Sequence, residues 1–342
     1  VSPTETAVLF LASASAVVVA GVALARSGDV IAARTRLGGV WVGSIFLALA
    51  TSLPELTTDI AAIRLGAPDL AAGDIFGSSM ANMLILAIVA LTPGAELFRR
   101  AALDHVLSAS LAIILTAIAA ISVLIALPAT WLGIGAGPLL LLLAYLAGTR
   151  TLYRHSQVLQ AAGTTPEIAA GAAAAAGGPG ELPSLRRAIV GFGLAALVIL
   201  VAAPALATSA ERIAELTGIG SSFIGTVLVG LATSLPELAT SLAAVRIAAY
   251  DLAIGNLFGS NAVNMALFAP LDLANGATPL FAVISEVHAI TALVAIILMG
   301  IALGAVVYRT RLPGARLESV SFIMLLVYVA GLFFVYFGDR AP

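Results

Sequence analysis

Ten apolar stretches, each long enough to cross a bilayer and separated by short polar joints, leave this chain few ways to fold. A spanning helix needs roughly 20 such residues, since every backbone N–H and C=O must be satisfied inside the segment where no water is at hand. The stretches fall at about 5–26, 39–65, 68–92, 103–126, 129–149, 187–209, 218–247, 250–273, 281–307 and 317–338. Apolar residues make up 61% of the 342 positions and charged residues 10%, against about 25% charged in ordinary globular domains. The first stretch has no basic flank before it and no cleavage pattern after it, which predicts a true span. The one long polar interruption, 150–186, holds an alanine-rich run and Gly177-Gly178-Pro179-Gly180, the composition of a linker. The expected class is an all-α integral membrane protein.

The sixteen basic residues are all arginines. With the N-terminus outside, thirteen of them (Arg26, Arg34, Arg36, Arg99, Arg100, Arg150, Arg154, Arg186, Arg187, Arg246, Arg309, Arg311 and Arg316) fall on the inner side. Only Arg64, Arg212 and Arg340 fall outside. The positive-inside rule then predicts a multi-pass plasma-membrane protein of a prokaryote, with both termini extracellular and the linker cytoplasmic. A net charge of −2 offers nothing to nucleic acid. The absence of cysteine excludes disulfides and thiolate metal sites. The three histidines, His105, His155 and His288, stand near span ends or in the linker. No paired-histidine, Ser–His or Cys–His pattern suggests an enzyme, and no cofactor is expected.

An internal repeat carries the organisation. Residues 51–83 align with 233–265 without a gap, and more than half of the positions are identical. Thr51-Ser52-Leu53-Pro54-Glu55-Leu56 returns as Thr233-Ser234-Leu235-Pro236-Glu237-Leu238. Arg64 and Asp69 match Arg246 and Asp251, and Gly73, Phe76, Gly77, Ser78 and Asn82 match Gly255, Phe258, Gly259, Ser260 and Asn264. Five spans per repeat is an odd number, so the halves sit with opposite polarity. The predicted architecture is ten transmembrane helices as two inverted five-helix repeats, 1–149 and 187–342, with broken helices at the midplane.

Inside each repeat the polar residues gather. Pro54 lacks a backbone donor and crowds the preceding turn, which predicts a break or kink there. Ser52 and Glu55 have the spacing of a capping box, which would give Glu55 a purely structural role. A glutamate in a bilayer core is costly, however, and one in each repeat points to function. Ser78 and Asn82, like Ser260 and Asn264, share a helix face one turn apart. Gly, Ser and Asn can also simply glue helices together. With the glutamates they form a cage of carboxylate, hydroxyl, amide and carbonyl oxygens, which suits hard cations such as Ca²⁺ or Na⁺.

The doubled Thr-Ser-Leu-Pro-Glu motifs resemble the two alpha repeats of the sodium/calcium exchanger family, within the calcium/cation antiporter superfamily. The resemblance implies Na⁺/Ca²⁺ antiport by alternating access, with the second and third spans of each half, about 39–92 and 218–273, as the core. The first span of each half would move. Glu55 and Glu237 would be shared ligands, Thr51 and Thr233 would contribute backbone carbonyls, Ser52, Ser234, Ser78 and Ser260 would surround Na⁺, and Asn82 and Asn264 would complete the core. The transported partners would be Ca²⁺ and Na⁺ in a lipid bilayer, with no oligomer implied. Proton coupling, or another divalent cation such as Mn²⁺ or Mg²⁺, is the alternative within this fold. Asp59 and Asp74 depart from the repeat, since their counterparts are Ser241 and Asn256. They predict an acidic outer vestibule or extra cation site, or else an ion pair with Arg64. Asp69 and Asp251 are expected only to favour helix starts.

Overall fold

A computed structural model describes residues 2–35, 48, 51–91, 97–100, 105–161, 183–246, 250–308 and 318–339. The first part of the 39–65 stretch and most of the linker lie outside these residues, as do Arg36, Arg309, Arg311, Arg316 and Arg340. The helices are α1 (Pro3–Thr35), α2 (Leu53–Arg64), α3 (Pro68–Ala90), α4 (His105–Ile125), α5 (Ala136–Ala161), α6 (Leu185–Thr217), α7 (Ser221–Thr233), α8 (Leu235–Arg246), α9 (Tyr250–Asn275), α10 (Val287–Tyr308) and α11 (Glu318–Gly338). Among the described residues six helices are long and apolar enough to cross a membrane, or seven if the bent pair α7–α8 is one span.

Burial sorts these helices into a core and a shell. Both α3 and α9 are buried on nearly every side, as expected of helices apolar all round. The shell helices instead expose large side chains on one face: Ile114, Ile121 and Leu124 on α4, Leu194, Leu197 and Val201 on α6, Phe322, Leu326 and Phe333 on α11. Such a belt is untenable in water and natural against lipid. α1 runs along α6, α4 packs on α9 and α10, and α3 packs on α7, α9 and α10. α1 and α6 have 33 residues each, about 50 Å at 1.5 Å per residue, so both overrun the ~30 Å hydrocarbon layer and must tilt or project.

Two span starts differ from expectation. The stretch predicted to begin at 129 opens with a two-strand hairpin, β1 (Thr130–Trp131) and β2 (Ile134–Gly135), and α5 starts only at Ala136. Leu132 and Gly133 both have positive φ, 53° and 78°, which closes a two-residue turn of the hairpin type. The stretch predicted from 281 likewise begins with a 3-10 turn at Leu280–Ala282, and α10 follows from Val287. The buried Asp272 carboxylate joins these irregular segments, accepting from Gly135 N–H and Leu280 N–H at 2.5 Å each.

Backbone meets backbone where α3 crosses α7. A Cβ on Gly73 would lie 2.6 Å from the Ser222 carbonyl oxygen, and one on Gly77 would collide with the Thr226 backbone. This close approach is the use membrane helices make of glycine. Within α7, residues Gly225–Val229 form a π-helical turn, an irregularity frequent at functional sites. α7 and α8 meet at Ser234 with a 42° bend, and Pro236 cannot donate to the Ala232 carbonyl.

Candidate functional site

All twelve candidate residues (Thr51, Ser52, Glu55, Asp59, Asp74, Ser78, Asn82, Thr233, Ser234, Glu237, Ser260 and Asn264) are buried. They come from α2, α3, the α7–α8 joint and α9, with Thr51 and Ser52 just before α2. The contacts cross between the two motifs in mirrored fashion. Thr51 Oγ1 lies 3.5 Å from Ser260 Oγ, which donates to Glu237 Oε1 at 3.4 Å. Thr233 Oγ1 lies 3.2 Å from Ser78 Oγ, and both hydroxyls donate to Asp74 Oδ1, at 2.8 and 3.1 Å. Ser78 Oγ also lies 3.3 Å from the Gly230 carbonyl, which accepts from the Ser234 N–H as well.

Ser52 is the N-cap of α2 by position, yet its side chain makes no cap bond. Its hydroxyl donates to Asn264 Oδ1 across the core at 3.4 Å, so the capping-box reading of Ser52 and Glu55 does not hold. Asn82 Nδ2 donates to Asn261 Oδ1 at 2.8 Å, and Asn261 Nδ2 donates to the Ser79 carbonyl at 3.2 Å. Asn261 is absent from the sequence-derived set because its repeat counterpart is Ser79. Asp59 and Asp74 face one another in the interior and not at a surface vestibule. Arg64 is exposed at the far end of α2, and neither carboxylate is paired with it. In the second half Asn256, the counterpart of Asp74, donates from Nδ2 to Thr240 Oγ1 at 3.0 Å, while Ser241, the counterpart of Asp59, is buried with its hydroxyl unpaired.

What remains unpaired in this core is almost all oxygen. Glu55 Oε2, both Asp59 oxygens, Asp74 Oδ2, Asn82 Oδ1, Ser234 Oγ and Glu237 Oε2 are buried without a hydrogen-bond partner. Buried polar atoms are otherwise nearly always satisfied, and unpaired buried carboxylates are especially costly. Among the described residues no three of His, Cys, Asp and Glu converge closely enough to hold a metal ion. A cation here would therefore need hydroxyl, amide and carbonyl oxygens beside the carboxylates, as hard cations accept. Gly21 of α1 lies against both motif prolines: a Cβ there would collide with Pro236 and come 3.6 Å from Pro54 Cγ.

The fold and this oxygen-lined interior define a helical membrane protein with a polar core. Residues 5–154 and 187–337 match the sodium/calcium exchanger protein family, and the chain belongs to that family. The chain is 30% identical over 236 residues to inner membrane protein YrbG of Escherichia coli, covering 66% of each chain. It is 31% identical over 147 residues to sodium/calcium exchanger MaX1 of Methanosarcina acetivorans, covering 40% of this chain and 39% of that one. The matches thus span less than two thirds of these relatives' lengths. Among solved structures, the sodium-calcium exchanger NCX_Mj aligns with a TM-score of 0.59 at 20% identity, covering 95% of this chain and 97% of that one. The H⁺/Ca²⁺ exchanger CAX aligns at 0.62 and 14% identity, covering 98% and 89%. Both likenesses bear on the fold alone.

Proposed function

We propose that the chain is a secondary antiporter exchanging Na⁺ for Ca²⁺ across a prokaryotic plasma membrane, by alternating access to one shared midplane site. Ten spans as two inverted five-helix halves, 1–149 and 187–342, would enclose the site, with both termini outside and the 150–186 linker inside. The observation that carries this reading is the set of unpaired, buried oxygens with no basic side chain among them. Glu55 and Glu237 are the central ligands. Thr51, Thr233, Ser52, Ser234, Ser78, Ser260, Asn82 and Asn264 complete the shell around them, and Asp59 and Asp74 add charge to one side. Two carboxylates can be neutralised by one Ca²⁺ or by several Na⁺, but not by both sets together. A protein that changes face only when its site is neutralised then exchanges one ion for the other.

Proton coupling is the second reading, and Asp59 facing Asp74 favours it, because two buried facing acids can share a proton as well as a metal ion. Proteoliposomes holding the purified protein separate the two readings. ⁴⁵Ca²⁺ uptake driven by an imposed Na⁺ gradient, and not by a H⁺ gradient at matched Na⁺, is the expected result. Uptake driven only by H⁺ would replace the first reading with the second.

A further inference from the structure

Two histidines that the cation site does not use are bonded across the halves, once at each end of the core. Asp69, in the first turn of α3, accepts from His288 Nε2 at 2.9 Å and from the Ser285 N–H at 2.6 Å. Asp251, in the first turn of α9, lies 3.0 Å from His105 Nε2, the first residue of α4. The aspartates are repeat counterparts, so the two pairs are mirror versions of one contact: the start of a core helix in one half, tied to the start of a helix in the other. His288 is fully buried, its Nδ1 has no partner, and its ring stacks on Phe76 with centroids 6.1 Å apart. Phe76 stands between Asp74 and Ser78 on α3. The His105 ring lies against Gly255, beside Asn256 on α9.

We propose that His288–Asp69 and His105–Asp251 are positioning latches that set the axial register of α3 and α9, each governing cation access on its own face. The inference rests on the antiporter reading for its meaning, and its structural half can be tested alone. A helix is stiff along its axis, so pinning Asp69 fixes where Asp74, Ser78 and Asn82 sit against the opposite half, and pinning Asp251 does the same for Asn256, Ser260 and Asn264. A carboxylate acceptor makes each latch stronger than a neutral hydrogen bond. Asp at a helix start is also favoured by the helix dipole, but that role needs no histidine. In the inverted ten-span arrangement both members of the first pair lie on the outer side, and both members of the second on the inner side.

The test uses sided ⁴⁵Ca²⁺ exchange in proteoliposomes, with the half-saturating concentration measured at each face. Asp69→Ala should raise it about three- to tenfold at the outer face, the size of an ordinary hydrogen bond's net contribution, and leave the inner face nearly unchanged. Asp251→Ala should do the reverse, and Asp69→Asn, which keeps an acceptor, should recover most of the loss. Equal shifts at both faces, or a fall in maximal rate alone, would overturn the proposal. Thermal melts of Asp69→Ala, His288→Gln and the double variant provide a readout free of transport: non-additive losses are expected, and additive ones would sink the latch. Inactivity of the wild-type chain would count against antiport, while the melts still decide the latch.

Discussion

Glu55 and Glu237 each keep one carboxylate oxygen buried and unpaired, and a buried carboxylate left so is costly until a proton or a metal cation neutralises it. Glu55→Gln and Glu237→Gln remove that demand while keeping size and shape. Each should lower ⁴⁵Ca²⁺ exchange by about 100-fold, the equivalent of ~3 kcal/mol of charged interaction, with the monodisperse yield in detergent unchanged. Near wild-type exchange in either variant would remove the glutamates from the site. Asp59 and Asp74 come with their own replacements, because the second half carries Ser241 and Asn256 at the same positions. Asp59→Ser with Asp74→Asn should preserve folding and alter the number of Na⁺ or H⁺ coupled to each Ca²⁺, read from the reversal potential. An unchanged reversal potential would make the pair structural. The repeat brought ten of the twelve candidates into view as identical pairs, and Asp59 and Asp74 as its two acidic departures. It could not reveal Asn261, whose counterpart is a serine, nor the histidine partners of Asp69 and Asp251, which lie 219 and 146 residues away. Long-range pairing of single residues leaves no periodic trace in a sequence.

Helix by helix, hydrophobic length foretold position better than boundary. The cores of α1, α3, α4, α6, α10 and α11 lie where apolar runs placed them, since any long apolar run must be helical in lipid. The starts of α5 and α10 were displaced by a hairpin and a 3-10 turn whose residues are as apolar as a helix, so hydropathy alone had no means of finding them. Gly133 and the buried Asp272 were the available signals. The α3–α7 crossing is an element-level feature with a measurable cost. Gly77→Ala forces a methyl into the Thr226 backbone, and overpacking of that kind costs about 1–3 kcal/mol. Gly300→Ala on α10, with nothing within 4 Å of the added carbon among the described residues, is the control. A detergent melting curve should show the first variant clearly less stable and the second at or above wild type. Equal midpoints would mean that the crossing relaxes freely.

For the molecule as a whole, the proposed five spans per half would require that the N-terminus and the linker lie on opposite sides. The chain has no cysteine, so Ser2→Cys and Gly178→Cys each introduce a single label. A membrane-impermeant maleimide applied to intact cells should modify the first and spare the second. Modification of both from outside would sink the odd span count and, with it, the inverted halves. The placement of Gly21 gives the assembly a further property. At this residue α1 rests on Pro236 with Pro54 close by, so one point on the helix meets the motif prolines of both repeats at once. If α1 is the segment that moves, a residue without a side chain, set on two rigid rings, would act as a bearing over which it passes without catching on an interlocking side chain. Gly21→Val would then act as a brake, slowing turnover while cations still bind with their usual affinity. A variant that turned over at full speed would show that the helix travels along some other track.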